Sequence, residues 1–193
     1  RHPAFLDELT RHREQAGHHP LRTFPDLDLA LEWCEQGLLD KYGELESDPE
    51  LSLAQHGATL GMSIDQIELL SSHLEHVEYE AGEMIYGNEL AVPDQMLLVT
   101  AGKISLLAED DDGGHRRLAT LSPGMTLGEI SMIAGAPLAG MPRADTEVKA
   151  WVLGEGDLEV LRARNPDLVV TLLENLLRQV ALRVGHMRAE LLR

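Results

Sequence analysis

The sequence predicts an α+β fold, an antiparallel β-roll flanked by N-terminal and C-terminal helices. Three observations predict it. Apolar spacing changes from every third or fourth residue to strict alternation at Glu75. Short apolar runs then follow one another as far as Leu153, separated by turns rich in Gly, Asp and Pro. Beyond Asn165-Pro166 the spacing returns to three and four and holds to the end of the chain.

Before the roll, residues 3–16 read as a charged helix closed by Gly17-His18-His19-Pro20, and 21–24 as a short strand. Pro25-Asp26 opens a second helix that sets Leu27, Leu31, Cys34 and Leu38 on one apolar face, so Cys34 is expected in a core. Residues 43–48 are acidic and aperiodic, and the whole of 44–62 is taken as a linker. Ser63 and Gln66 have the spacing of a capping box at the start of a helix whose apolar side is Ile64, Ile67, Leu70 and Leu74.

Within the roll, Val77 and Tyr79 alternate with polar residues, Ala81-Gly82 turns, and Met84-Ile85-Tyr86 follows as strand. Residues 95–101 and 103–109 are apolar runs divided by Gly102, the Asp- and Gly-rich 110–114 is a hairpin turn, and 115–121 returns. Pro123-Gly124 turns again, and 148–153 is the last strand. A short helix near 156–163 precedes Asn165-Pro166, an N-cap residue with proline at the first helical position. The final helix carries Val169, Leu173, Leu176, Val180, Val184, Met187 and Leu191 as one apolar stripe, for packing on the roll or pairing with a second copy.

Acidic residues number 33 against 16 basic ones among 193, a net charge of −17. Such a field disfavours nucleic acid and anionic membrane surfaces, both of which need clustered Lys and Arg. One cysteine excludes an internal disulfide and suits a reducing compartment. No apolar run approaches the roughly 20 residues of a membrane helix, so any membrane association would come through a parent protein. The start at Arg1 is read as a cut from something longer, with a cytoplasmic location.

No nucleophile–base pairing and no glycine-rich nucleotide loop stands out, and the chain is read as non-catalytic. His73 and His76 have no Cys, Asp or Glu partner at metal-ligand spacing and are read as a solvent-facing pair. Asp110-Asp111-Asp112 lacks the ligand pattern of a calcium loop. No metal is expected. The scattered methionines Met84, Met96, Met125, Met132 and Met141 read as gap-fillers of a β core.

An ordered set of motifs over about 60–190 resembles the cyclic-nucleotide-binding domain family. Tyr79-Glu80-Ala81-Gly82-Glu83-Met84-Ile85 resembles its opening strand pair, and the run 96–102 followed by Lys103-Ile104 its apolar strand ending in glycine. Leu118-Ala119-Thr120-Leu121-Ser122-Pro123-Gly124 resembles the approach to the phosphate-binding cassette. Leu127-Gly128-Glu129-Ile130-Ser131-Met132-Ile133 resembles the cassette's first half. The resemblance implies that Gly128, Glu129, Ile130 and Ser131 open a short helix whose free amides face a cyclic phosphate. It also implies that Glu129 accepts from a ribose 2′-hydroxyl, although a carboxylate at a helix start is stabilising without any ligand.

The family's phosphate-pairing arginine follows a proline, with a Thr or Ser beside it. In the register without gaps that proline is Pro137, and Leu138 and Ala139 stand where the arginine and its hydroxyl neighbour belong. The alternative uses Pro142-Arg143 as the motif, but needs five residues inserted before the proline and five removed before Trp151. The first register is the more economical. Losing a guanidinium–phosphate contact costs about 2–5 kcal/mol. No cofactor is required by the sequence. cAMP or cGMP is the ligand that the resemblance offers, and Leu138 argues against either.

Residues 24–35, from Phe24-Pro25-Asp26 to Trp33-Cys34-Glu35, resemble the last helix of a STAS domain, as found ahead of cyclic-nucleotide-type domains in SulP-type anion transporters and long bacterial glutaminases. The expected division is therefore 1–43 as a helical remnant of an upstream domain, 44–62 as linker, and 63–193 as a cyclic-nucleotide-binding-type domain ending in a long helix. The implied function is regulation or dimerisation of a larger transporter or enzyme. A catabolite-activator type of transcription factor is disfavoured, because no helix-turn-helix follows the long helix and the charge has the wrong sign.

Overall fold

The computed structural model describes residues 50–86, 94–109 and 115–191, together with Ala30 and Cys34. The chain divides into two units, Arg1–Ser47 and Asp48–Arg193. In the first, Ala30 and Cys34 are helical, and the Cys34 thiol is exposed. That corrects the core position expected for it: periodicity assigns a residue to a helix face but does not supply the partner that covers the face. The other readings on 1–47 lie outside the described residues, as does the hairpin turn at 110–114.

The second unit opens with two short 3-10 turns, Leu53–Gln55 and Gly57–Thr59, then α1 (Ile64–Ser71). The strands are β1 (Glu75–Tyr79), β2 (Gln95–Ala101), β3 (Ile104–Glu109), β4 (His115–Leu121) and β5 (Thr126–Leu127). The helix α2 (Glu129–Ala134) separates them from β6 (Met141–Ala144) and β7 (Val148–Gly154), and α3 (Glu155–Arg164) and α4 (Pro166–Leu191) close the chain. The α1 capping box forms as its sequence predicts, with Ser63 and Gln66 each satisfying the other's backbone N–H.

Two antiparallel sheets face each other, in the orders β1-β7-β2-β5 and β4-β3-β6. Between them lies an apolar cluster that includes Ile85, Leu97, Val99, Ile104, Leu121 and Val152. A second cluster lies on the other side of β2 and β7, where Met96, Leu98 and Leu153 meet Leu158, Leu161, Leu168, Leu172 and Leu176 of α3 and α4. Successive side chains of a strand point to opposite faces, so β2 must be apolar on both. This is why Met96-Leu97-Leu98-Val99 reads as a continuous apolar run rather than an alternation.

Three expectations change. Met84-Ile85-Tyr86 makes one isolated bridge, Met84 to Arg143, instead of a strand, because Tyr86 turns into the left-handed region at φ 65°. The second half of the stretch read as linker is packed, with His56 and Ala58 fully buried and Thr59 nearly so. The stripe on α4 divides: Val169 and Leu176 are buried against the roll, whereas Val184 faces outward, and the buried face is completed by Leu168 and Leu172, which lie outside the predicted stripe. The spacing of three and four accommodates either face, and only the roll decides which one is covered.

Candidate functional site

The cassette begins where β5 ends. Gly128 caps α2 at φ 88°, and a Cβ there would stand 2.7 Å from both the Gln95 carbonyl oxygen and the Tyr86 hydroxyl. Only glycine fits. The Tyr86 hydroxyl donates toward the carbonyls of Gln95 and Leu127, 3.3 Å from each, and so ties the start of the cassette to β2. Burial pushes this phenol well above its ordinary range, so it remains a neutral donor.

Glu129 and Ser131 turn inward and are each 2% exposed, while Ile130 and Ile133 face outward. The Glu129 carboxylate is not left to a ligand. Arg183 of α4 donates from Nη2 to Glu129 Oε1 and from Nη1 to the Thr126 carbonyl, the latter at 3.2 Å. One turn earlier, Gln179 accepts from the Thr126 N–H at 3.2 Å and donates to the Gly124 carbonyl at 3.2 Å. One turn earlier again, Asn175 donates to the carbonyls of Ala58 and Leu60 at 3.0 and 2.8 Å.

Residues four apart share a helix face. Asn175, Gln179 and Arg183 are therefore a polar ladder that continues the buried face of α4 beyond Leu176. It satisfies backbone groups of the turns beneath it, as buried polar groups require. His56 completes this floor. Its Nδ1 accepts from the Ala58 N–H at 3.1 Å, and its Nε2 lies 3.2 Å from the Met125 carbonyl. Desolvation holds its pKa down at about 4, against the pull of backbone hydrogen bonds to Met125 and Val99, so it is neutral near pH 7.

The remaining residues singled out from the sequence are placed as follows. Pro137 and Ala139 are exposed on the connection from α2 to β6. Leu138, between them, packs against the inner cluster of the roll. Arg143 lies on β6 opposite Ser105 of β3, with its guanidinium 3.4 Å from Asp145. It lines an open pocket of about 370 Å³ with Met84, Leu107, Glu109, His115 and Met141, none of them a cassette residue. Gly128, Glu129 and Ser131 are thus gathered at the start of α2, and Arg143 is not brought to them.

His73 and His76 are tied down rather than free. His73 pairs with Asp157 at 2.8 Å, and the His76 ring meets Trp151 edge-on at 5.0 Å. Of the methionines, Met96 and Met132 are core residues, whereas Met84 and Met141 line the outer pocket. Sequence reasoning passed over Asn175, Gln179 and Arg183. Their signal was a polar residue every fourth position on the face that carries Leu168, Leu172 and Leu176.

Residues 76–165 match the family model of the cyclic nucleotide-binding domain, and the roll has the fold of such domains. Its likeness to individual proteins extends that result. A cyclic nucleotide-binding domain from Methylobacillus flagellatus is 24% identical, with a TM-score of 0.63 over 67% of this chain and 72% of that one. The N-terminal domain of a transcriptional regulator from Streptomyces coelicolor is 27% identical, with a TM-score of 0.59 over 70% of this chain and 94% of the other. Glutaminase 1 of Bradyrhizobium diazoefficiens is 26% identical over 165 residues, 85% of this chain. The chain spans only 26% of that protein's length. Among the described residues no helix is long and apolar enough to cross a membrane.

Proposed function

We propose that the chain is a non-catalytic regulatory module whose cassette has lost cAMP and cGMP binding, and that it regulates or pairs a larger protein. The observation that carries this reading is the placement of Leu138 in the inner cluster while Arg143 turns to Asp145. The cassette position that the resemblance gives to a phosphate-binding arginine then holds an apolar side chain. Losing that contact costs about 2–5 kcal/mol, roughly 30- to several-thousand-fold in affinity. The net charge of −17 offers no long-range attraction to make up for it. The second reading, a working sensor using Arg143, requires that guanidinium to leave Asp145 and cross the sheet.

The similarity to Glutaminase 1 reaches well beyond residues 76–165, and it favours a long glutaminase-type enzyme over a SulP-type transporter as the parent. On this reading 1–43 is the end of an upstream, STAS-like domain, the unit from Asp48 onward is the module, and both are cytoplasmic. Pairing would run through the outer face of α4. Val170, Leu177 and Val184 recur every seven residues, are about half exposed or more, and alternate with Leu173 and Val180 at the heptad spacing of a two-stranded coiled coil.

Isothermal calorimetry with cAMP and cGMP tests the ligand reading. No saturable heat is expected, and low-micromolar binding of either nucleotide overturns it. Size-exclusion chromatography with light scattering tests pairing. A dimer is expected, and a monomer at high protein concentration rejects it.

A further inference from the structure

We propose that the outer face of the β4-β3-β6 sheet carries a ligand site separate from the cassette, which takes a small, singly charged carboxylate with an apolar body. Nothing in this depends on whether the cassette binds a nucleotide. Helices α3 and α4 pack on the outer face of the other sheet, over β2 and β7. On β4-β3-β6 the inward positions Ile104, Leu121 and Ala144 belong to the inner cluster, so alternation turns Ser105, Leu107, Met141 and Arg143 outward. There Leu107, Met141 and Arg143 join Met84, Glu109 and His115 around the open pocket of about 370 Å³, a size that suits a small molecule.

The lining selects the ligand. Met84, Leu107 and Met141 make an apolar floor, and the two flexible thioether chains adapt to the shape laid on them. Arg143 is the anion partner. Its hydrogen bond to Asp145 Oδ1 is long, at 3.4 Å, and its side chain is 42% exposed, so its planar fork keeps donors for a carboxylate. Asp145 is not stranded when Arg143 turns to a ligand, because Ser105 donates to its other oxygen and Arg117 lies 3.8 Å from that oxygen. Glu109 limits the charge: the second anionic group of a dicarboxylate or a phosphate dianion would face it without a cation of its own. His115, opposite Glu109 across the strands, offers a ring N–H in either charge state.

Methyl NMR on the whole chain with carbon-13-labelled methionine tests the site, because Met84 and Met141 line it whereas Met96 and Met132 lie in the helix-side core. Met132 belongs to α2, so nucleotide in the cassette would move a different signal, and the two readings fail separately. The probes are phenylbutyrate, its neutral amide and the dianion phenylsuccinate. Saturable shifts of the Met84 and Met141 methyls are expected with phenylbutyrate. The amide should bind about five- to tenfold more weakly, the range between exposed and partly buried charged contacts. Phenylsuccinate should bind no more tightly than phenylbutyrate. Arg143→Gln, at an exposed position, should keep the fold and erase the preference for acid over amide. No shift of Met84 and Met141 at millimolar phenylbutyrate overturns the proposal. So does equal affinity for acid and amide in the wild type, tighter binding of the dianion, or a preference that survives Arg143→Gln.

Discussion

Leu138 and Arg143 stand on opposite faces of the roll wall. Leu138 packs on the inner cluster, whereas Arg143, between the buried Pro142 and Ala144, faces out toward Asp145. Alternation along β6 fixes this, because Ala144 joins the inner cluster and its neighbour must point away.

Two substitutions separate these positions. Arg143→Ala is expected to cost well under about 1 kcal/mol, since its side chain is 42% exposed and its ion pair is long. Leu138→Arg places a charge against an apolar cluster and is expected to cost about 1–3 kcal/mol. Urea unfolding of both variants measures the difference. Equal costs would contradict the placement of the two residues.

His56 gives a pH dependence with a definite sign. Its folded pKa is about 4 and its unfolded value 6.5, so the unfolded chain takes up the proton first as pH falls. Its contribution is fully present above about pH 6.5 and is lost progressively as pH drops toward 4. The loss approaches about 3 kcal/mol at 1.36 kcal/mol per unit. Carboxylates titrate in part of the same window, so the comparison is with His56→Gln. Denaturant unfolding between pH 7 and 4.5 should fall more steeply in wild type than in that variant.

Gly57 and Gly128 are among the glycines held by close approach. A Cβ on Gly57 would lie 2.7 Å from Gln179 Nε2 and from the Gly124 carbonyl oxygen, and one on Gly128 would meet Gln95 and Tyr86 at the same distance. Gly128→Ala also places a side chain at φ 88°. It is expected to destabilise by about 1–3 kcal/mol. Gly57→Ala should instead weaken the grip on Gln179, seen as faster exchange of the distal α4 amides.

The two faces of α4 respond to different assays. Leu172 is fully buried, and Leu172→Ala should cost about 2–5 kcal/mol of folding stability. Leu177 is 70% exposed, and Leu177→Ala should leave the unfolding midpoint of the monomer nearly unchanged while weakening self-association in sedimentation equilibrium.

From Ser63 onward the order of elements, the α1 cap, the turn glycines and the helix start at Glu129 were legible in the sequence, because these depend on local spacing and backbone conformation. The continuous apolar run of β2 was legible as strand, but not that its two faces serve two different cores. Tertiary structure alone decided which face of α4 is covered, that His56 lies in the floor, and that Arg183 reaches Glu129. Residues 129 and 183 are far apart in the chain, and no periodicity specifies which polar side chain will meet a buried carboxylate. The roll decides it, by supplying one surface on which Leu168, Leu172 and Leu176 can be buried. With that face committed, the helical repeat carries Asn175, Gln179 and Arg183 over the cassette.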